Sequence, residues 1–176
     1  MRSIEIRRLH PADWAAFRAV RLEALRDAPE AFGSTADASE RLSEVDWRQR
    51  LAERVVFVAI GDDRAVGLVS GIASDRRGVA ELISMWVRRD WRRQGVGSRL
   101  VERVIEWAGE HGFKSLRLWV ADGNDGAERL YSRHGFKRTG ERQPMAKGRT
   151  PRWELGMARR LGSSPRGELG GAGEPG

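Results

Sequence analysis

The chain has no cysteine among its 176 residues, which excludes disulfides, thiolate metal sites and cysteine nucleophiles. Lysine is scarce: Lys114, Lys137 and Lys147 are the only lysines among 32 Lys and Arg residues. The three histidines, His10, His111 and His134, fall at predicted element ends and show no paired His or carboxylate spacing, so no metal is expected. No apolar run approaches the ~18 residues of a membrane span. The N-terminus, Met1 to His10, is too charged for a signal peptide. Ser70 lies in Gly-Leu-Val-Ser-Gly, which is not a nucleophile elbow, and no catalytic triad is visible. A cytoplasmic protein without a membrane partner fits these absences.

The length suits one domain with a substantial core, and seven Trp and five Phe supply large apolar side chains. A formal charge of +7 favours anionic partners, whether phosphates, nucleic acid or an acidic surface. Residues 1–160 are read as that single domain. Residues 161–176, glycine-rich with little to bury, are read as a disordered tail.

Taken in order, Ser3 to Arg8 alternates like a half-buried strand. Pro11 opens a helix reaching about Asp27, with Trp14, Phe17, Val20 and Ala24 at core spacing. Glu30 to Thr35 is read as a loop, and Ser43 to Asp46 as a capping box starting a helix that buries Trp47 and Leu51. Val55 to Ile60 and Ala65 to Ala73 form a hairpin around Gly61 to Arg64, and Val79 to Val87 is a third strand. Ser115 to Val120 is a strand and Ala127 to Arg133 a short helix. Phe136 to Thr139 and Arg152 to Ala158 are the last strands, around a loop from Gln143 to Thr150. The order is β-α-α-β-β-β-α-β-α-β-β, a mixed α/β fold with a central sheet flanked by helices.

The most informative stretch runs from Glu81 to His111. A strand ending at Val87 meets the basic turn Arg88 to Arg93, then Gln94-Gly95-Val96-Gly97, and then a helix with apolar residues at 100, 101, 104, 105 and 108. A helix start presents unpaired N–H groups and positive potential, so the turn suits phosphate. Glycines at 95 and 97 would let phosphate approach the backbone. A dinucleotide fingerprint is excluded because Leu100 replaces its third glycine, and a P-loop because no Gly-Lys-Ser/Thr follows. On the strand, alternation places Glu81 on one face with Ile83, Met85 and Val87.

This stretch resembles the acetyl-CoA-binding segment of the GNAT superfamily of N-acetyltransferases, whose Arg/Gln-x-x-Gly-x-Gly/Ala signature is met by Arg92-x-x-Gly95-x-Gly97. A second match follows in Asn124…Ala127…Leu130-Tyr131…Gly135-Phe136. The resemblance covers roughly Ile4 to Ala158. It implies a mostly antiparallel sheet, a seventh strand, and a splay between the fourth and fifth strands.

The resemblance also implies roles. Gln94, Gly95, Val96, Gly97 and Ser98 would cradle the CoA pyrophosphate, assisted by Arg92 and Arg93. Met85, Trp86 and Val87 would pair with the pantetheine arm, and the Met85 N–H would face the thioester oxygen. Tyr131 would protonate the departing thiolate, Asn124 would contact CoA or cap a helix, and Glu81 would be the general base. The expected activity is acetyl transfer from acetyl-CoA to a primary amine by direct attack in a ternary complex. The amine, a small molecule or a protein amine, would be held by residues 14–52 and 138–151. Asp13, Glu23, Asp27, Glu30, Asp37 and Glu44 are candidate holders of a cation. The oligomeric state stays open, a homodimer included. Two alternatives are a basic nucleic-acid-binding module and a CoA-binding protein of the same fold without catalysis. Against the first, the cations lack interleaved aromatics, so no specific nucleic acid is expected.

Overall fold

The computed structural model describes residues 3–145 and 152–162. Seven strands form one sheet: β1 (Glu5–Leu9), β2 (Val55–Gly61), β3 (Arg64–Ala73), β4 (Val79–Val87), β5 (Ser115–Ala121), β6 (Lys137–Pro144) and β7 (Trp153–Arg160). Their order is β1-β2-β3-β4-β5-β7-β6, and every neighbouring pair is antiparallel except β4 with β5. The β2–β3 hairpin turns through Asp62 and Asp63, both left-handed at φ 49° and 57°. Short polar side chains tolerate that conformation, and it matches the twist of the strands.

Helices cover the sheet on both faces. On one, α4 (Val96–Glu110) buries Leu100, Val101, Val104 and Trp107 against Val69, Leu82 and Leu116, with α5 (Asp125–Arg133) beside it. On the other, α1 (Trp14–Asp27) and α3 (Glu44–Glu53) bury Phe17, Val20, Trp47 and Leu51 against Val56, Val58 and Leu68. Trp47 meets Phe17 edge to face at 5.2 Å. The expected capping box starts α3: Ser43 Oγ accepts from the Asp46 N–H at 3.2 Å, and Asp46 Oδ2 accepts from the Ser43 N–H at 2.7 Å.

Two elements differ from the sequence reading. A five-residue helix, α2 (Ala36–Glu40), precedes α3, capped by Thr35, whose hydroxyl accepts from the Ala38 N–H. Strand β6 extends to Pro144 despite its polar sequence, because β7 supplies a partner as far as Trp153. Residues 146–150 of the expected loop, residue 151 after it, and 163–176 of the expected tail lie outside the described residues. No helix among the described residues is long and apolar enough to cross a membrane.

Candidate active site

Strand β4 has two irregularities that together make an opening. It pairs with β5 only at Val79, Ala80 and Glu81, opposite Ser115, Leu116 and Arg117, and from Leu82 onward the two strands part. On its other edge, Leu68 of β3 faces Trp86 while Ser70 faces Ile83, so Ser84 and Met85 together oppose Val69. This is a β-bulge, and Ser84 is left-handed at φ 59°. Met85 is therefore paired in register with neither neighbour, which frees backbone polar groups beside the gap.

The bulge corrects one expectation. Ala80 and Leu82 face α4, and so, after the extra residue, do Met85 and Val87. Glu81 and Ile83 face the opposite side, where Trp86 packs in the α1–α3 layer. Glu81 thus shares a face with Ile83 but not with Met85 or Val87, because the inserted residue reverses the alternation.

The basic turn is anchored before α4 begins. Trp91 is fully buried, its ring so close over Gly61 that a Cβ there would lie 2.4 Å from a ring carbon. Arg92 points back toward β4, donating from Nε to the Val87 carbonyl at 2.8 Å and from Nη2 to Asp27 at 3.2 Å. Asp27 also accepts from the Trp86 indole at 2.9 Å. Arg92 thus braces the turn from behind, while Arg93 is exposed and left-handed at φ 59°. The Gln94 amide donates to the Asp90 carbonyl at 2.8 Å. Gly95 is left-handed at φ 82° and caps α4 without a side chain. The first-turn N–H groups of Val96, Gly97 and Ser98 find no acceptor among the described residues. Two left-handed residues before an uncapped helix start make a concave array of donors suited to an anion.

The two glycines do different work. A Cβ on Gly95 would meet nothing within 4 Å, so its side is open. A Cβ on Gly97 would lie 3.1 Å from Leu130 Cδ2 and 3.6 Å from Met85 Cε. Gly97 therefore lets α5 and the β4 bulge close on α4. That contact draws the neighbour of Tyr131 to the site.

Tyr131 is buried, edge to face with Phe136 at 5.9 Å, and burial pushes its phenol well above the ordinary value. It stays protonated and able to donate. Asn124 caps α5, its Oδ1 accepting from the Ala127 N–H at 3.2 Å. Glu81 is half-buried, and its carboxylate has no ion pair or hydrogen bond among the described residues. Across the register, Arg117 is held by Glu141.

Most acidic residues proposed to hold a cation are already engaged. Glu23 pairs with Arg88 at 2.9 Å, Asp27 with Arg92, and Glu44 with Arg48 at 2.7 Å, while Asp13 accepts from the His10 N–H. An open groove of about 1300 Å³ runs between α1 and the end of β4, bordered by Leu22, Asp27, Trp86 and Arg89. Among the described residues no group of His, Asp and Glu is arranged to hold a metal ion. Sequence reasoning missed Ser84, whose conformation makes the bulge, Trp91, which reads as part of a charged run, and the buried Arg21 of α1.

The model of the acetyltransferase (GNAT) family matches residues 17–136. An uncharacterized N-acetyltransferase of Methanocaldococcus jannaschii is 32% identical over 96 residues, covering 52% of this chain and 42% of that protein. The chain spans about half the length of the curated relatives it matches. Among solved structures, the acetyltransferase of GNAT family from Streptococcus pneumoniae superposes with a TM-score of 0.77 at 23% identity, covering 91% of this chain and all of that one. The PaiA N-acetyltransferase from Thermoplasma acidophilum, in complex with coenzyme A, superposes with a TM-score of 0.67 at 19% identity, covering 90% of this chain and 99% of that one. At these identities the structural likeness is one of fold.

Proposed function

The chain belongs to the acetyltransferase (GNAT) family, and on that premise we propose that it transfers an acetyl group from acetyl-CoA to a primary amine. The observation that carries this reading is the coincidence of two features on one strand. β4 parts from β5 beside the bulge at Ser84, and it leads directly into the uncapped start of α4. A ligand with phosphates at one end and amides along its length finds donors at 95–98 and an open strand edge at 85–87. Arg93 adds positive charge at the rim, while Arg92 holds the turn in shape.

The chemistry follows from the groups around the gap. The neutral amine attacks the thioester carbon, forming the C–N bond as the C–S bond breaks, and no residue is acylated. The Met85 N–H is the proposed donor to the carbonyl oxygen as negative charge grows there. Glu81, directly or through one water, takes the proton the amine must lose. The sulfur leaves as thiolate and takes the Tyr131 proton, and solvent exchange then resets both side chains.

The test is initial-rate kinetics with acetyl-CoA and a panel of amines, read by released thiol and by mass of the acetylated amine. The expected result is one thiol per acetyl transferred and intersecting double-reciprocal lines. Acetyl-CoA binding without thiol release across all amine classes would favour a binding protein of the same fold. Tight, sequence-selective binding of duplex DNA at physiological salt would favour the nucleic-acid alternative.

A further inference from the structure

Arg21 is the electrostatic anomaly of the α1–α3 layer. Its side chain is packed inside the protein, with 8% of the residue exposed. Buried guanidinium groups are ordinarily met by a carboxylate. Here Nη2 donates to Ser34 Oγ at 3.0 Å, the guanidinium lies 4.5 Å from the Phe32 ring centroid, and Nη1 is buried without an acceptor. The charges that act on it are of its own sign. Burial first, then Arg50 and Arg54, pull it down to about 10. Arg54, where α3 ends, likewise has a buried Nε without an acceptor. On the sheet beneath, Ser70 is buried, shares its face with Val56 of the same layer, and has a hydroxyl without a partner.

A buried guanidinium on which only like charges act, with several donors around it unsatisfied, calls for a counterion from outside, although Arg54 itself also feels Glu53 beside it in the chain. Ser34 strengthens the case, because its oxygen accepts from Arg21 and leaves its own O–H free to donate. The phosphates of acetyl-CoA do not answer the need. Their proposed cradle is the start of α4, across the sheet, whereas Arg21 lies in the helical layer that Glu81 faces.

We propose that Arg21, Arg54 and Ser34 bind a compact oxyanion, a carboxylate or phosphate, carried by the amine acceptor. The acceptor is then an anionic amine, such as an amino acid, rather than a polyamine or an aminoglycoside. That assignment to the acceptor rests on the acetyltransferase reading, whereas the anion site itself does not.

The first experiment reads melting temperature with acetate, inorganic phosphate, or chloride at matched ionic strength. Acetate or phosphate should raise the wild-type melting temperature above chloride, and the rise should vanish in Arg21→Met. In chloride, Arg21→Met should melt no lower than wild type, because an unbranched apolar chain replaces a buried unpaired charge. A rise that persists in Arg21→Met, or no rise in wild type together with a marked loss of stability in Arg21→Met, would overturn the anion site. The latter result would make Arg21 a structural brace for Ser34 and Phe32.

The second experiment compares amino acids with their amides and with aminophosphonates as acceptors. Removing the anion should lower kcat/KM by about 10- to 100-fold, the range of a charge-assisted hydrogen-bonded pair. The better of carboxylate and phosphonate identifies the group. The preference should disappear in Arg21→Met while the KM for acetyl-CoA holds. Equal use of acids and amides, with thiol release intact, defeats the inference and leaves the acetyltransferase reading standing. An Arg21-dependent melting shift in a protein that acetylates no amine does the reverse: the anion site stands and the acetyltransferase reading falls.

Discussion

Glu81 and Tyr131 stand on opposite faces of the sheet: Tyr131 packs in the α4–α5 layer, and Glu81 points the other way from β4 just where that strand leaves β5. A proton acceptor on one face and a proton donor on the other suit a transfer through the gap. The amine would arrive from the side of α1 and α3, and the thiolate would leave toward Tyr131. The bulge at Ser84 is what reconciles this with Met85 facing α4.

Tyr131→Phe removes one hydroxyl from a buried ring and leaves the packing against Phe136 intact. Turnover should fall about 10- to 1,000-fold with acetyl-CoA affinity unchanged, since water can partly replace the acid. Wild-type single-turnover rates would reduce Tyr131 to a packing residue. The same variant has a stability signature. Burial raises the folded phenol above its unfolded value near 10, so its contribution is complete below about pH 10 and is lost as pH rises beyond. Alkaline denaturation scans should show that decline in wild type and a smaller one in Tyr131→Phe.

Gly95→Asp tests the donor array, with Gly95→Asn as the control that carries the same backbone strain without the charge. A Cβ would meet nothing within 4 Å, and Asp and Asn are the side chains that best bear the left-handed backbone, at a cost both share. Both substitutions strain that backbone, so Gly95→Asp and Gly95→Asn should each melt below wild type without ligand, by similar amounts. Negative charge at the array should abolish the thermal shift given by acetyl-CoA, while Gly95→Asn should retain most of it. Equal shifts in the two variants would show that no phosphate lies there.

Gly61→Val tests the anchor of the turn. Its side chain would collide with the Trp91 ring and force that ring to move. Denaturant titration should show a loss of about 1–3 kcal/mol. Acetyl-CoA binding should weaken as well, because Trp91 sets the turn that leads into α4. A destabilised protein with undiminished acetyl-CoA affinity would uncouple the anchor from the array.

The sequence announced what depends on local pattern. The apolar run of Val55 to Ile60, the box at Ser43 and Asp46, and the spacing along α4 each specify an element by themselves. Features set by tertiary pairing stayed hidden. Lys137–Pro144 is almost wholly polar, with a left-handed Gly140 and a register shift between Arg138 and Arg142, and only β7 makes it a strand. Ser84 lies between the apolar pairs Leu82-Ile83 and Met85-Trp86, so nothing local marks the bulge or the reversal of Glu81. Arg21 follows Val20 in an amphipathic helix and reads as a solvent residue. Only the returning loop at Phe32 and Ser34 encloses it.

The most direct measurement is the pH–rate profile of Glu81→Gln beside wild type, under saturating acetyl-CoA. An amine of lysine type is mostly protonated at neutral pH and must lose a proton to react. With Glu81 as the base, wild-type rates should climb with pH and level off. Glu81→Gln should be slower by about 100- to 10,000-fold near neutrality and keep climbing, because free amine must then come from solution. Acetyl-CoA affinity should be equal in both proteins. A Glu81→Gln enzyme with the wild-type rate and the wild-type plateau would contradict transfer between Glu81 and Tyr131 across the gap.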